Sequence, residues 1–162
     1  MLSKQFILAG SAIFTVSCQD GSHLTYRVQR VEPKELEAEY CQLDRNDDAA
    51  LATYEKKVVE KSAFFAQLLT GPNNTKDYTY IGKLDVKKGE VFPTRKSTMK
   101  RDSRPIVVLN WALYQIWRQN KNFEHRIRHA GKCSRCNIKL TVPVSIDTGL
   151  GPICAQRMGL VE

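Results

Sequence analysis

The sequence predicts an α+β fold in two parts: an antiparallel-sheet main domain with a few helices over residues 1–123, and a small cysteine-bearing module over residues 124–162. Three observations predict it. Short β-rich runs punctuated by glycine turns occupy residues 11–31 and 63–92, stretches of helical character stand among and after them, and three of the five cysteines crowd into the last thirty residues. Strands that pair locally, with helices set apart from them, define the α+β class. With 162 residues, 42% of them hydrophobic, the chain can build one modest core and a satellite, and is too short for two large domains.

The first apolar run, Phe6 to Val16, could pass for the hydrophobic part of a secretory signal, with Cys18 as a lipoprotein-type cleavage point. Lys4 is the only positive side chain ahead of it, and Thr15 stands where a large aliphatic is expected. The run is therefore read as part of the fold. No other segment approaches the ~20 apolar residues that span a bilayer, so a cytoplasmic protein without membrane contact is expected.

Next, Asp20-Gly21 lies between two β-rich runs, a hairpin signal because both residues tolerate positive φ. Ala12, Phe14 and Val16 on one strand and Leu24, Tyr26 and Val28 on the other should share a buried face. From residue 33 to residue 60 the composition turns to Glu, Ala, Lys and Leu. Pro33 and the Asp47-Asp48 pair sit where helix starts place proline and acids, which predicts one or two helices, the second over roughly 47–60. Phe64 to Leu69 reads as a buried strand ended by the Gly71-Pro72-Asn73-Asn74 turn. Tyr78 to Leu84 alternates and returns through Lys88-Gly89 into Val91-Phe92, a second antiparallel pair. Ile106 to Leu109 is a short apolar run, after which Asn110 can cap a helix whose Leu109, Ala112, Leu113, Ile116 and Trp117 form one core-facing stripe.

The chemistry lies near the C-terminus. Cys133-Ser134-Arg135-Cys136 is a Cys-x-x-Cys knuckle whose tight turn points both sulfurs one way, and Cys154 follows Gly149-Leu150-Gly151-Pro152 at the start of a short helix. Thiolates at this spacing select Zn²⁺ in a reducing compartment, whereas Cys18 and Cys41 read as inert, half-buried thiols. One structural zinc is expected, substituting for the apolar core that so short a module cannot supply, in an arrangement of zinc-ribbon or treble-clef type. A tetrahedral structural site wants four protein ligands. His129, four residues before Cys133, is the first candidate for the fourth; His125, a ligand outside the segment or a water are the alternatives.

The segment His129 to Met158 resembles a small zinc-binding domain of unknown function found in many bacteriophage and actinobacterial proteins. The resemblance rests on Cys133-x-x-Cys136, on Leu140-Thr141-Val142-Pro143-Val144-Ser145 and on Gly149-Leu150-Gly151-Pro152-Ile153-Cys154. The stretches Phe65 to Pro72 and Asp77 to Gly82 are similar to phage proteins that carry such a tail, in which the 33–60 connection is shorter, so 33–60 reads as an insertion. The resemblance implies a mobile-element origin, a zinc site and a place in a host cytoplasm, and no activity.

Charge supplies a functional expectation. The chain carries a net +8, yet residues 1–80 hold two more acids than bases and residues 81–162 ten more bases than acids. Clustered Lys and Arg displace counterions from phosphates. Arg95, Lys96, Lys100, Arg101 and Arg104 in the loop before the last helix of the main domain, and Arg126, Arg128, Lys132, Arg135 and Lys139 around the knuckle, are therefore the candidate nucleic-acid contacts, with Tyr78, Tyr80 and Trp111 as possible stacking groups. The plain alternative is a solvated basic face. A second functional class is an inhibitor or adaptor that binds a host protein, with the acidic helical stretch 33–60 as its contact surface. An enzyme is not expected: no Gly-rich phosphate loop, deaminase signature or nucleophilic arrangement is present, and an open position on the zinc would be the exception.

Overall fold

The computed structural model describes residues 1–160 and shows an α+β architecture. In chain order the elements are α1 (Lys4–Leu8), β1 (Ser11–Ser17), β2 (His23–Val31), α2 (Lys34–Cys41), α3 (Asp48–Lys61), β3 (Ala63–Leu69), β4 (Tyr78–Asp85), β5 (Glu90–Phe92), α4 (Arg104–Trp117), a 3-10 turn (Lys121–Arg126), β6 (Ile127–His129), α5 (Pro143–Thr148) and α6 (Pro152–Arg157). One antiparallel sheet runs in the order β5-β4-β3-β2-β1-β6.

The first hairpin has the predicted face. Ala12 stands opposite Val28, Phe14 opposite Tyr26 and Val16 opposite Leu24, so period-two alternation carries all six toward the same side. Its loop is longer than a two-residue turn: residues 18–22 connect the strands, the Cys18 N–H donates to the Ser22 carbonyl at 2.8 Å, and Gly21 alone takes positive φ, at 84°. The N-terminal apolar run builds α1 and β1, and Phe6, Ile7, Leu8 and Ala9 are buried.

One face of the sheet is covered. Ile106, Leu109, Leu113 and Ile116 of α4 join Phe14, Tyr26, Phe64 and Ile81 of the strands and Phe6 of α1 in a single apolar cluster. The Tyr26 hydroxyl donates to the Pro105 carbonyl at 2.6 Å, which fixes the start of α4 on the sheet. Residues 106–109, expected to precede a helix capped by Asn110, are instead its first turns, because Ser103 precedes the helix and Pro105 fits its opening turn. Asn110 lies inside α4 and pairs with the edge strand: its amide donates to the Val91 carbonyl at 3.1 Å and its Oδ1 accepts from the Val91 N–H at 2.7 Å.

Helices α2 and α3 pack on each other through Leu36, Tyr54 and Val58, the Tyr54 hydroxyl donating to the Leu36 carbonyl at 2.9 Å. The apolar side chains of the 33–60 stretch thus face inward. Strand β6, placed by the sequence beyond residue 123, is the sixth strand of the sheet, with Arg128 opposite Thr15 and His129 opposite Phe14. The sheet therefore continues past the point where composition alone puts its end. Among the described residues no helix is long and apolar enough to cross a membrane.

Candidate metal centre and basic surface

Backbone geometry around the knuckle explains how the sulfurs meet. The Cys133 N–H donates to the Ile138 carbonyl and the Asn137 N–H returns to the Cys133 carbonyl, both at 2.9 Å, while Asn137 takes positive φ to close the turn. Lys132 and Lys139 bridge across its base, and the Leu140 N–H donates to the Gly131 carbonyl. From there α5 leads to Gly149, whose φ of 73° ends the helix; an added Cβ would lie 2.4 Å from the Phe6 ring, so this position admits only glycine on both counts. Gly151-Pro152 then opens α6, which carries Cys154 inward.

The result is one group: the sulfurs of Cys133, Cys136 and Cys154 all lie within 4.8 Å of one another, close enough to hold a metal ion. Cys133 and Cys154 are buried and Cys136 is exposed. The Gly151 N–H donates to the Cys133 sulfur at 3.3 Å. Burial pushes the Cys133 thiol up, but N–H groups of Gly151, Cys136 and Arg135 directed at it, with the Cys136 thiol, outweigh burial and bring it below the ordinary value. Cys154 is pushed up to about 12, by burial first and then by the neighbouring thiols. The amide donors at Cys133 favour its thiolate, while burial and then the neighbouring sulfurs make a negative charge at Cys154 costly. A cation among them offsets that cost, which is the test the donor set passes as a metal site.

His129 stands apart from this group. As a residue of β6 it points with Phe14 to the covered side of the sheet, its ring 5.9 Å from that of Phe6. Its Nδ1 accepts from the Gly131 N–H at 2.9 Å, and its Nε2 is hydrogen-bonded to the Ile146 carbonyl. Both ring nitrogens are thus engaged in tying β6 to the knuckle and to α5. Among the described residues no fourth His, Cys, Asp or Glu completes the cysteine group. Of the remaining cysteines Cys18 is partly buried, as expected, but Cys41 is exposed at the end of α2.

The ten basic residues named from the sequence differ in exposure and in their partners. Arg95, Lys96, Lys100, Arg128, Lys132 and Lys139 are exposed, and among the described residues they form no ion pair. Arg101 is 3.8 Å from Glu90, and Arg104 is paired to Asp20 at 2.7 Å and to the Ser22 hydroxyl. Arg126 lies over the Trp111 ring at 4.5 Å and donates to the Ser17 carbonyl. Arg135 turns inward: it donates to Glu55 at 3.2 Å and its charge faces the Cys154 sulfur. Glu55, buried, accepts from Arg30 at 2.8 Å as well, so one carboxylate ties β2, α3 and the cysteine knuckle together. That triad escaped the sequence reading, since its members lie 25 and 80 residues apart and no local signal links them.

A second feature missed from the sequence is a set of exposed large aliphatic side chains on the cysteine module: Ile138, Val142, Val144, Ile146, Ile153 and Leu160. Ile138, Val142 and Ile153 line a hollow over the three cysteines. The profile of a family of unknown function, DUF6011, matches residues 127–159, which take in β6, the knuckle and α6. No curated protein and no solved structure matches the chain.

Proposed function

We propose that the chain is a non-catalytic nucleic-acid-binding accessory protein whose C-terminal module is ordered by one structural zinc ion on Cys133, Cys136 and Cys154. The observation that supports the binding reading is the set of exposed basic side chains of the C-terminal half that no acid of the described chain pairs, led by Arg95, Lys96, Arg128 and Lys132. Unpaired surface cations release condensed counterions from a phosphate backbone, and this is where most sequence-independent affinity comes from. Zinc is favoured as the ion because a soft, thiolate-only donor set suits it. His129 is held by the Gly131 N–H and the Ile146 carbonyl, so it would join the ion only if its ring gave up the Ile146 carbonyl.

The test measures affinity for short labelled single-stranded and duplex oligonucleotides over a salt series, with metal content in parallel. Affinity should fall steeply and linearly on logarithmic axes; a flat dependence, or no binding at low salt, removes the reading. His129→Gln should keep the full zinc stoichiometry, and loss of metal in that variant would assign the histidine to the ion.

A second reading, an adaptor or inhibitor that docks on a host protein, is favoured by the exposed aliphatic side chains on the cysteine module rather than by the 33–60 helices. One stoichiometric partner that survives nuclease treatment and is released by Val144→Asp would favour it.

A further inference from the structure

The sheet has a second face, and no helix of the described chain covers it. Alternation, with a register shift in the β3–β4 pairing between Tyr80 and Gly82, places Ile13, Thr15, Thr25, Arg27, Gln29, Phe65, Gln67, Tyr80 and Lys83 on it, in rows that the register fixes: Ile13 opposite Arg27, Arg27 opposite Gln67, Gln67 opposite Tyr80, and Gln29 opposite Phe65 opposite Lys83. Two hollows share Gln29 and extend across this face. One, of about 560 Å³, runs from Arg27 and Tyr78 to Lys132 and Asn137 of the knuckle. The other, of about 580 Å³, is bordered by Phe65, Tyr80, Arg95 and Lys96.

We infer that this open face is the seat of a single-stranded nucleic acid, with bases on Phe65, Tyr80 and Tyr78 and phosphates on the cations at either end. This rests on the nucleic-acid reading above and gives it a location. Three properties carry it. First, the charge is of one sign: among the described residues Arg27, Arg95, Lys96 and Lys132 line the hollows and no Asp or Glu does, whereas elsewhere Arg101, Arg104 and Arg135 are matched by acids. Second, the rings are partly exposed and already held in place. Phe65 and Tyr80 meet edge to face with centroids 6.0 Å apart, and the Tyr80 hydroxyl is 2.9 Å from that of Thr94. The Arg27 guanidinium lies over Tyr78 at 4.1 Å while its Nε donates to Gln67 at 2.6 Å.

Third, the polar groups between the rings, Thr15, Thr25, Gln29 and Gln67, can both donate and accept, as base edges require. Bases of a single strand stack on rings in this way, but a duplex hides its base faces and cannot use them. The two clusters of cations flank the rings, so a strand of several nucleotides crosses from the knuckle, past β2 and β3, to the loop after β5.

The experiment uses the full zinc-loaded chain and fluorescence anisotropy with labelled oligo(dT), oligo(U) and a mixed-sequence duplex of equal length. Both single strands should bind more tightly than the duplex. Phe65→Leu, which keeps the apolar bulk and removes the stacking surface, should weaken single-strand binding by about tenfold or more, and Arg27→Gln by several-fold. Photocrosslinking of a 4-thiouridine oligonucleotide to the unmodified protein should label peptides from β3 and β4, which keeps the test open should a variant fail to fold. Equal binding of Phe65→Leu and the parent, with crosslinks confined to residues 97–104 or to the exposed aliphatic side chains of the cysteine module, overturns the placement while leaving the nucleic-acid reading intact. Tighter binding of duplex does the same. Failure of every oligonucleotide to bind at low salt overturns both.

Discussion

The two ends of this molecule are held together by different physics. The sheet and its covering helices bury one continuous apolar cluster that includes Phe6, Phe14, Tyr26, Phe64 and Leu113, and large rings and branched chains of this kind contribute roughly 1.5–3 kcal/mol each by leaving water. The cysteine module gathers only Ala9, Cys133, Leu140, Leu150, Cys154 and Ala155, and leaves six large aliphatic side chains in solvent. Two of its six buried groups are the sulfurs themselves. A segment so poor in buried carbon depends on what its thiolates bind and on what it leans against, namely Phe6 beside Gly149, and Glu55 beside Arg135. On the zinc reading, one chain contains a region stabilised by burial next to one stabilised by coordination and docking, and these should fail separately.

The sharpest way to break that comparison is to remove the ion. On the zinc reading, chelation or Cys154→Ser should open residues 131–158 completely, since metal binding is the folding free energy of such modules. Amides of β1, β2 and β3 should stay protected. Hydrogen exchange reads both regions at once, and a module that keeps its protection under chelator would show that docking alone suffices.

Phe14→Ala tests the other half. It removes a fully buried ring from the middle of β1 and should cost about 3–5 kcal/mol in urea unfolding, with the metal content of the folded fraction, on the zinc reading, unchanged. Loss of metal at the same denaturant concentration as the sheet would mean that the two regions are one cooperative unit.

Glu55→Gln attacks the joint between them. The change removes the carboxylate that Arg30 and Arg135 share and leaves Arg30 only the exposed Glu32, and breaking a buried pair by removing one partner costs roughly 3–5 kcal/mol. Arg135 is partly open to solvent, which places the expected loss at the lower end. Exchange should rise first in the knuckle and in α3. An unchanged midpoint would show that the triad only decorates the interface.

What the sequence made legible follows from the range of each interaction. The hairpin of β1 and β2 was visible because Ala12, Phe14 and Val16 alternate within one strand, and the cysteine group because a Cys-x-x-Cys turn fixes its own geometry. Ile106 to Leu109 carries no such signature: four apolar residues read equally as strand or helix, and Ser103 with Pro105 was the clue that decided it. His129 is nearest to the knuckle in the chain, yet pairing of β6 with β1 turns its ring toward Phe6. No local pattern discloses a three-residue strand that exists only because another strand accepts it. The same holds for the open sheet face, whose alternating Arg27, Gln29, Phe65 and Tyr80 were in view before anything told which side of the sheet the helices would cover.

The smallest effect concerns the hairpin loop, where the comparison can be refined by pH. Asp20 is exposed, and the Ser22 hydroxyl and N–H, with Arg104 adding to them, lower its carboxyl from 3.8 to about 2. A carboxylate whose folded value is depressed binds its proton more readily unfolded, so its contribution is complete above 3.8 and disappears as pH falls toward 2. Solvent screens this pair, so Asp20→Asn should shift thermal stability only slightly at pH 7 and not at all at pH 2. On the zinc reading the cysteine module should also respond to acid, for another reason, because protons compete with the metal for its thiolates. Following loop and module amides by NMR during acid titration separates the two. In Asp20→Asn the loop transition should vanish while release of the metal keeps its midpoint; a common shift of both would show that the Asp20–Arg104 contact reaches the far side of the sheet.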